Sequence, residues 1–371
     1  MTLLIPVYAK PEYVSEMLDS IINQTNQPEE VIFIDDRHSE ETTSLLRSRI
    51  DDFKTDVKLI VNEKNIGISE STGLGVDLAE SDYIGFLDSD DILMPNAISR
   101  FRKFSKSETC LDIYSSDYKT FSKNITSTQA IKPLRARILS DMYLQESDWA
   151  RSLIFENTVS HFRVVSKKLA QSYKWNSIDD GVQDLLLNYC VNQDSKVFLD
   201  SCVTYAHRIH SSQATNSLLI QARAAKQLNS GRQKYITKIY GRTPDLINLK
   251  KFSFSGSFFA VLTNIRNQYF FAFTKKDELR PINFDEISFN ENEFNFIGLH
   301  LSPIFDEFYI RRALLFLFPR TTIPIMLFAD LNLRNNLKFI TQNSGLFDGV
   351  VFDSGEKTEI RDYIPNNVVI L

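Results

Sequence analysis

The segment Asp82-Tyr-Ile-Gly-Phe-Leu-Asp-Ser-Asp-Asp-Ile-Leu-Met-Pro95 decides the fold. Residues 83–87 form a short apolar run typical of a buried strand. The carboxylates Asp88, Asp90 and Asp91 follow it directly. A buried strand that ends in carboxylates is typical of an α/β sheet whose ligand site lies beyond the carboxyl ends of its strands.

The preceding residues alternate between strand-like and helix-like patterns. Apolar, β-branched runs occupy residues 3–7, 31–35 and 58–62, and helical spacing of apolar residues occupies 13–25, 39–53 and 69–79. Strands that alternate with helices in this rhythm predict βαβ units and a mostly parallel sheet with flanking helices. The fold class is therefore predicted to be α/β.

A polar cluster follows each of the four predicted strands. The clusters are Tyr8, Asp35-Asp36, residues 62–67 and residues 88–91. Because parallel strands end at the same edge of a sheet, we expect these clusters to converge there.

The closely spaced carboxylates of residues 88–91 favour a metal site. Such groups repel one another in a dry cleft, and a divalent cation such as Mg²⁺ or Mn²⁺, bridging to substrate phosphates, would stabilise them. The alternative is that Asp91 caps a helix opened by Pro95. For Asp35 and Asp36, hydrogen bonds to a nucleoside compete with a simple Asx turn.

Composition excludes several classes of protein. With 371 residues the chain predicts two domains, and 43% hydrophobic and 24% charged residues are ordinary globular values. Its three cysteines lack CxxC spacing, which argues against a zinc ribbon and fits a reducing, cytoplasmic compartment. The net charge of -5 argues against nucleic acid as a partner. The apolar run 313–329 contains Pro319, Arg320 and Pro324, so no membrane span is expected.

The later part of the chain divides into three predicted regions. Residues 112–121 and 196–205 are strand-like and 184–191 helical, which extends a first domain to residue 215. Residues 216–251 are basic and predict a helical connector, either with a solvated face or with affinity for an anionic substrate, partner or lipid headgroup. From residue 252 a C-terminal α/β domain is predicted. Its strands are expected at 258–262, 269–273, 294–299, 323–328, 349–352 and 368–371, and its helices at 332–343 and 356–363.

Residues 1–215 resemble a family 2 glycosyltransferase with a GT-A fold. The segments that carry the resemblance are Ile5-Pro-Val-Tyr8, Leu18-Asp-Ser-Ile-Ile-Asn-Gln-Thr25, Val31-Ile-Phe-Ile-Asp-Asp36, Asn65-Ile-Gly-Ile-Ser69 and the segment 82–95. The resemblance implies transfer of a sugar from a nucleotide diphosphate donor, usually UDP, with inversion at the anomeric carbon.

The resemblance also implies roles for individual residues at the donor site. Those expected to contact the uridine are Pro6, Val7, Tyr8, Asp35, Asp36, Asn65 and Gly67. Asp88, Ser89 and Asp90 would form the DxD motif, with Asp90 the direct ligand of Mn²⁺ or Mg²⁺. His210 would complete the metal site, with His207 as a second candidate, and Arg208 would neutralise phosphate.

An inverting transfer needs a general base, and Asp184 occupies the place that the resemblance implies. Asp179 and Asp180 are alternatives, and Asp184 could instead be a carboxylate favoured by a helix N-terminus. His161 is a candidate for the acceptor site. The expected acceptor is a glycan, glycoprotein or lipid-linked hydroxyl, as in surface polysaccharide or capsule synthesis, with peripheral membrane association or self-association through the connector and C-terminal domain.

Departures from the family pattern keep a second function open. Ala9, Arg37 and Gln183 stand where the family often has Asn, Gly and Glu, which motivates a non-catalytic nucleotide-sugar-binding or scaffold protein. A nucleotidyltransferase is disfavoured because no Gly-rich loop follows the first strand. The C-terminal region weakly resembles the first half of a GT-B glycosyltransferase. Its expected role is accessory, and the sequence leaves open whether a longer domain would continue beyond it.

Overall fold

The computed structural model describes two compact units. The described residues are 1–107, 111–122, 149–154, 157–177, 181–191, 194–210, 218–241, 270–274, 279–281, 294–301, 310–311, 314, 317–318, 325–330, 346–353 and 368–370. The first unit is Met1–Ile220 and the second is Gln221–Leu371. The division falls near the boundary predicted at residue 215.

Strands and helices alternate through the first unit. The strands are β1 (Thr2–Val7), β2 (Glu30–Asp35), β3 (Asp56–Val61), β4 (Tyr83–Phe86), β5 (Ile92–Leu93), β6 (Ile113–Phe121), β7 (Arg163–Ser166) and β8 (Val197–Arg208). The α-helices are α1 (Pro11–Ile22), α2 (Glu40–Arg49), α3 (Ile68–Leu78), α4 (Ala97–Ser107), α5 (Trp149–Ser152), α6 (Lys167–Gln171) and α7 (Gln183–Asn188). Short 3₁₀ turns occupy Ile50–Asp52 and Trp175–Ser177.

These strands form one eight-stranded sheet in the order β3-β2-β1-β4-β7-β6-β8-β5. Strands β3, β2, β1 and β4 are mutually parallel, whereas β7 runs antiparallel to both β4 and β6. The predicted α/β class with a mostly parallel sheet is confirmed. Chain order reverses between β1 and β4, and this switch point is where open α/β sheets leave a crevice for a ligand.

Local sequence explains the helices that flank this sheet. Helix α1 begins with a proline, whose fixed φ suits the first helical turn, and it therefore starts two residues before the predicted position. Its apolar residues Val14, Met17, Leu18 and Ile21 are buried, as their spacing predicts. The Ser39 hydroxyl accepts a hydrogen bond from the Thr42 N–H and caps α2.

Helix α3 packs against β1 through Gly75. A Cβ at this position would overlap the side chain of Leu4, with Cδ2 at 2.9 Å and Cγ at 3.0 Å. Leu4 is wholly buried in β1 and has no room to move aside. A residue without a side chain at position 75 therefore sets how closely α3 lies on the strand that leads to Tyr8.

We expect Gly75→Ala to destabilise the first unit, although alanine is the better helix former by about 1 kcal/mol. The overlap with Leu4 costs about 2–3 kcal/mol, which leaves a net loss of about 1–2 kcal/mol. At about 2–4 °C per kcal/mol, the Tm should fall by about 2–8 °C in a thermal melt. Asp77→Ala, at an exposed position of the same helix, is the matched control. A Tm for Gly75→Ala at or above the wild-type value would contradict this packing.

The second unit contains a sheet of its own. Helix α8 (Leu218–Tyr240) lies almost wholly within this unit. The strands are β9 (Phe270–Thr274), β10 (Leu279–Pro281), β11 (Phe294–Leu301), β12 (Ile325–Asp330), β13 (Gly349–Asp353) and β14 (Val368–Ile370). Their order is β10-β9-β11-β12-β13-β14, and the last four are mutually parallel.

Some of the elements predicted for this unit fall on described residues, and others do not. The basic segment predicted as a helix over 216–251 is helical from Leu218 to Tyr240, but Arg232 is buried instead of solvated. The strand predicted at 258–262 and the helices predicted at 332–343 and 356–363 lie outside the described residues. Within the part of the chain that is described, no helix combines the length and apolar character needed to cross a bilayer.

Candidate active site

The four polar clusters lie together at the carboxyl edge of the sheet. The Asp36 N–H donates to the Val7 carbonyl at 2.9 Å, and the Asn62 N–H donates to the Asp35 carbonyl at 2.9 Å. Across the switch point, the Tyr8 N–H donates to the Ser89 hydroxyl at 3.3 Å. These bonds join the ends of β1, β2, β3 and β4 into one continuous rim, as the convergence argument predicts.

Asp36 organises the loop that follows β3. One carboxylate oxygen accepts hydrogen bonds from the Asn62 side-chain amide and the Ile66 N–H, each at 2.8 Å. The other accepts from the Gly67 N–H at 2.9 Å, where the backbone has φ 91°. This buried carboxylate therefore fixes the loop that carries the exposed Asn65 and the positive-φ turn at Gly67, both predicted nucleoside residues, beside the strand ends.

The neighbouring Asp35 faces the protein interior instead of a ligand. Its side chain is wholly buried and accepts from the Arg37 N–H at 3.0 Å and from the Thr43 hydroxyl. This is an Asx turn, the alternative left open for the pair. Val7 is likewise wholly buried in the apolar core, so its side chain does not line a pocket. Both residues are corrections to the predicted uridine set, because successive side chains of a strand point to opposite faces.

The rim beside Asp36 carries an aromatic pair and an unusual arginine. The Tyr8 ring is 57% exposed and meets the His38 ring edge-on at 5.1 Å between centroids, and Pro6 is half-buried below it. Arg37 has φ 62°, in the left-handed region that most residues avoid. Its Nε donates to the Asn62 carbonyl at 2.9 Å. The Arg37 guanidinium thus lies next to the predicted nucleoside site, and the backbone at Arg37 is strained.

Asp91 anchors the acidic turn to β8. It is wholly buried and accepts from the Tyr205 hydroxyl and the Arg208 N–H, each at 2.7 Å, and it lies 3.0 Å from His207 Nδ1. The alternative that Asp91 caps the following helix is therefore wrong, because both of its carboxylate oxygens contact residues of β8.

Asp90 and His210 meet in the cleft. His210 Nε2 lies 2.8 Å from an Asp90 carboxylate oxygen, and the imidazole ring packs against Tyr13 at 5.0 Å. A carboxylate oxygen and an imidazole nitrogen this close together are a suitable ligand pair for a divalent cation.

A second group also brings metal-ligating atoms together. One ligand atom from each of Asp88, Asp91 and His161 lies within 4.8 Å of the others. The imidazole of His161, the residue predicted for the acceptor site, stacks on Tyr205 at 4.7 Å and lies 4.0 Å from Asp88. Because Asp91 is already committed to three partners on β8, the Asp90–His210 pair is the stronger candidate for a cation.

The pKa values of two carboxylates that follow β4 are raised. Burial raises the pKa of Asp88 well above its usual range, and the charges of Asp91, Asp184 and Asp90 raise it further. Burial and Asp91 also raise the pKa of Asp90, although His210 lowers it in part. Carboxylates in this state gain most from a nearby positive charge, so the site fits a bound cation.

The structure places Arg208 in the protein interior. Its side chain is 2% exposed, and its guanidinium lies between the rings of Tyr13 and Phe121 at 4.6 and 4.5 Å. It donates to the Asp90 carbonyl at 2.7 Å and pairs with Glu16 at 2.9 Å. The predicted phosphate contact is thus corrected, because this guanidinium supports the backbone of the DxD turn from below.

Asp184 lies in the first turn of α7 and contacts β7, which β4 separates from the strands that carry the predicted nucleoside residues. Its carboxylate is 41% exposed and pairs with Arg163, while its charge is close enough to raise the pKa of Asp88. Burial would raise the pKa of Asp184, but the charges of Arg163 and His161 and the hydrogen bond from Arg163 outweigh it and lower the pKa. Asp184 therefore carries its negative charge at neutral pH. Asp179 and Asp180 lie outside the described residues.

Sequence reasoning missed Arg163, Glu16 and Tyr205 in this site. Arg163 stands inside the apolar run Phe162 to Val165, and a charge in such a run is a signal that it has a buried partner. Glu16 and Tyr205 offered no such signal, since their partners are far away in the sequence.

Part of the chain is similar in sequence to known glycosyltransferases. Residues 2–171 match the family described as Glycosyl transferase family 2. An uncharacterized glycosyltransferase of Haemophilus influenzae is 32% identical over 104 residues, which are 28% of this chain and 41% of the relative. One from Rickettsia prowazekii is 24% identical over 247 residues, which are 64% of this chain and 73% of the relative. The chain thus spans less than half of the first relative and about three quarters of the second.

Named relatives and solved structures are also similar in part. The chondroitin synthase of Escherichia coli is 32% identical over 117 residues, which are 32% of this chain and 16% of that protein. The structure of Staphylococcus aureus TarS in complex with UDP-GlcNAc aligns with 14% identity and a TM-score of 0.47, covering 69% of this chain and 76% of that one. Residues 2–171, which lie within the first unit, are thus similar to glycosyl transferase family 2.

Proposed function

We propose that the chain is an inverting, metal-dependent glycosyltransferase that moves a sugar from a UDP-sugar to a hydroxyl of a glycan or glycoconjugate. The observation that carries the proposal is the Asp90–His210 pair at the switch point of a family 2 sheet, with the ionised Asp184 across the cleft. The sheet edge binds the donor, and the side of α7 receives the acceptor.

The nucleoside end of the donor lies along the rim between Tyr8 and the loop held by Asp36. The exposed Tyr8 ring offers a face for the base, and Asn65 and Gly67 approach from the β3 side. Pro6 supports this rim from below. The diphosphate then reaches the acidic turn, where Asp88, Ser89 and Asp90 follow β4.

Asp90 and His210 would hold the cation, with Asp88 beside them. When bound, the cation neutralises the diphosphate and stabilises the departing UDP by electrostatic attraction. The mixed oxygen and nitrogen ligands favour Mn²⁺ over Mg²⁺, because Mg²⁺ prefers oxygen ligands alone.

Asp184 performs the proton transfer. Its carboxylate accepts the proton of the acceptor hydroxyl, whose oxygen forms a bond to the anomeric carbon. The bond from that carbon to the β-phosphate oxygen breaks, and UDP leaves with the electron pair. Attack from the face opposite UDP inverts the anomeric configuration.

The acceptor is proposed to belong to a surface polymer. Two relatives are named for polymers, a chondroitin synthase and a Poly(ribitol-phosphate) beta-glucosyltransferase. The exposed Lys234 and Lys238 of α8 give the second unit a basic face that suits an anionic acceptor or a membrane headgroup.

A screen of nucleotide-sugars tests the proposed function. The full chain is incubated with each UDP-sugar, and with GDP- and CDP-sugars as controls, in the presence of Mn²⁺, Mg²⁺ or EDTA, and the released nucleotide is measured. We expect release from one UDP-sugar that requires the metal, together with a rise in Tm with UDP and Mn²⁺. Thermal stabilisation without release would favour a non-catalytic nucleotide-sugar-binding protein, and neither effect with any donor would contradict the proposal.

A further inference from the structure

The buried cation Arg163 pairs with the proposed base Asp184. It opens β7, its side chain is 5% exposed, and its guanidinium lies over the Phe86 ring at 5.4 Å. Phe86 in turn packs against Trp175, with ring centroids 6.0 Å apart. A charged group is rarely buried in this way unless its partners compensate for the loss of water.

Among the residues that the structure describes, the guanidinium donates hydrogen bonds to helix α7 alone. One terminal nitrogen donates to the Asp184 carboxylate, and the other donates to the Asp184 carbonyl at 2.9 Å and to the Asn188 side-chain oxygen at 3.3 Å. Arg163 therefore bonds to the first turn and to the last residue of the same helix.

Helix α7 depends on such contacts because it has only six residues. A helix of this length is not stable by itself, so tertiary contacts decide its orientation. The Asn188 amide completes the attachment by donating to Asn157 Oδ1 and to the Val159 carbonyl, each at 2.7 Å. The direction of the Asp184 carboxylate thus follows from the position of β7.

The charges around Asp184 make Arg163 the main compensating cation. The titratable groups that face Asp184 are Arg163 on β7, His161 before β7, Asp88 after β4 and Tyr173 after α6. The charge of Arg163 lowers the pKa of Asp184 more than that of His161 does, and Arg163 adds a hydrogen bond.

We propose that Arg163 is the positioning residue for the general base, holding the Asp184 carboxylate toward the acceptor side of the cleft and compensating its charge. The inference rests on the proposed role of Asp184. It assigns to β7 a function in the reaction that the family resemblance did not imply.

The test compares Arg163→Gln with Arg163→Lys in the full chain. The measured quantities are kcat and KM for metal-dependent release of UDP from the donor found in the screen, over pH 5–9 at saturating Mn²⁺. We expect Arg163→Gln to lower kcat by about 10–100-fold with little change in the donor KM, because a displaced base slows the chemical step. Its acid limb, which for the wild type lies below this pH range because the pKa of Asp184 is lowered, should move up into the range, since losing an adjacent cation raises the pKa of a carboxylate.

Lysine keeps the charge but cannot reproduce the forked contacts. Arg163→Lys should therefore keep the acid limb in place and recover only part of kcat. Arg100→Gln is the matched control, because Arg100 pairs with the buried Asp200 at 2.7 Å and neither residue belongs to the proposed site. If Arg163→Gln fails to fold, the kcat of Arg163→Lys tests the positioning role. A kcat of Arg163→Lys equal to the wild-type value would then overturn the inference.

Other outcomes separate the inference from the function on which it rests. A rate for Arg163→Gln that falls no more than that of Arg100→Gln, with an unchanged pH profile, would assign Arg163 to stability alone and overturn its positioning role. If Asp184→Asn keeps the wild-type rate, the proposed base itself is wrong. If UDP and Mn²⁺ no longer raise the Tm of Arg163→Gln, the residue acts on donor binding and the inference also fails.

Discussion

Asp184→Asn is expected to lower kcat for sugar transfer by about 10²–10⁴-fold, the usual contribution of a general base. The amide cannot accept the acceptor's proton, so the hydroxyl oxygen remains a weak nucleophile. Its oxygen can still accept a hydrogen bond from Arg163, so the buried guanidinium keeps a partner and the fold is preserved. Asparagine therefore tests the proton transfer more specifically than alanine, which would also remove the hydrogen-bond partner of Arg163.

The rate is measured as metal-dependent UDP release, with slow hydrolysis of the donor as the reaction until an acceptor is found. Donor binding should be unaffected, so UDP with Mn²⁺ should raise the Tm of Asp184→Asn as much as that of the wild type. The control is Asp77→Asn, which changes an exposed carboxylate on α3. A rate for Asp184→Asn within a few-fold of wild type would remove Asp184 from the mechanism and direct attention to the neighbouring aspartates.

Asp90→Ala is expected to abolish the stabilisation that UDP and Mn²⁺ give together. Ligand at 100 times its Kd stabilises a protein by about 2.7 kcal/mol. At about 2–4 °C per kcal/mol, this corresponds to a rise in Tm of about 5–10 °C for the wild type. Without Asp90 the metal site loses the carboxylate that His210 contacts, so the rise should vanish and transfer should fall to background.

Two controls make this measurement specific. Asp77→Ala should keep the full rise in Tm, since its side chain lies on an exposed face of α3. The wild type with UDP and EDTA should show little of the rise. If Asp90→Ala still responds to UDP and Mn²⁺ like the wild type, the cation is held elsewhere, and the Asp88–Asp91–His161 group becomes the next candidate.

The first hundred residues were predictable because their signals are local. Each apolar run and each helical spacing in this part is complete within a dozen residues, and the observed elements differ from the predicted ones by a few residues at their ends. The one systematic difference is at the ends of helices, as where the last turn of α2 passes into the 3₁₀ turn Ile50–Asp52. Such ends depend on hydrogen-bond choices that apolar spacing does not encode.

The order of the later strands could not be predicted in the same way. Strand β7 inserts antiparallel between β4 and β6, and β8 pairs with the two-residue β5 from more than a hundred residues away. These pairings depend on contacts distant in sequence, for which periodicity gives no information.

The site shows the same limit at the level of single residues. The carboxyl ends of parallel strands predicted where the clusters meet, but not which side chain of each pair faces the cleft. Asp35 and Asp36 are adjacent and chemically identical in the sequence. In the structure Asp35 forms an Asx turn with Arg37, whereas Asp36 holds the loop that follows β3. The family resemblance implies a phosphate contact for Arg208, and no local pattern corrects this, because its partner Glu16 lies 192 residues away.

The left-handed backbone at Arg37 has a practical consequence for redesigning donor choice. Only a few residue types adopt φ 62° at low cost, chiefly glycine and asparagine, then aspartate and histidine, whereas β-branched residues resist it. A small library confined to those four replacements would vary charge and size beside the proposed nucleoside site without reshaping the loop. Changes of nucleotide preference found in such a library could be attributed to the side chain, which a fully randomised library would not permit.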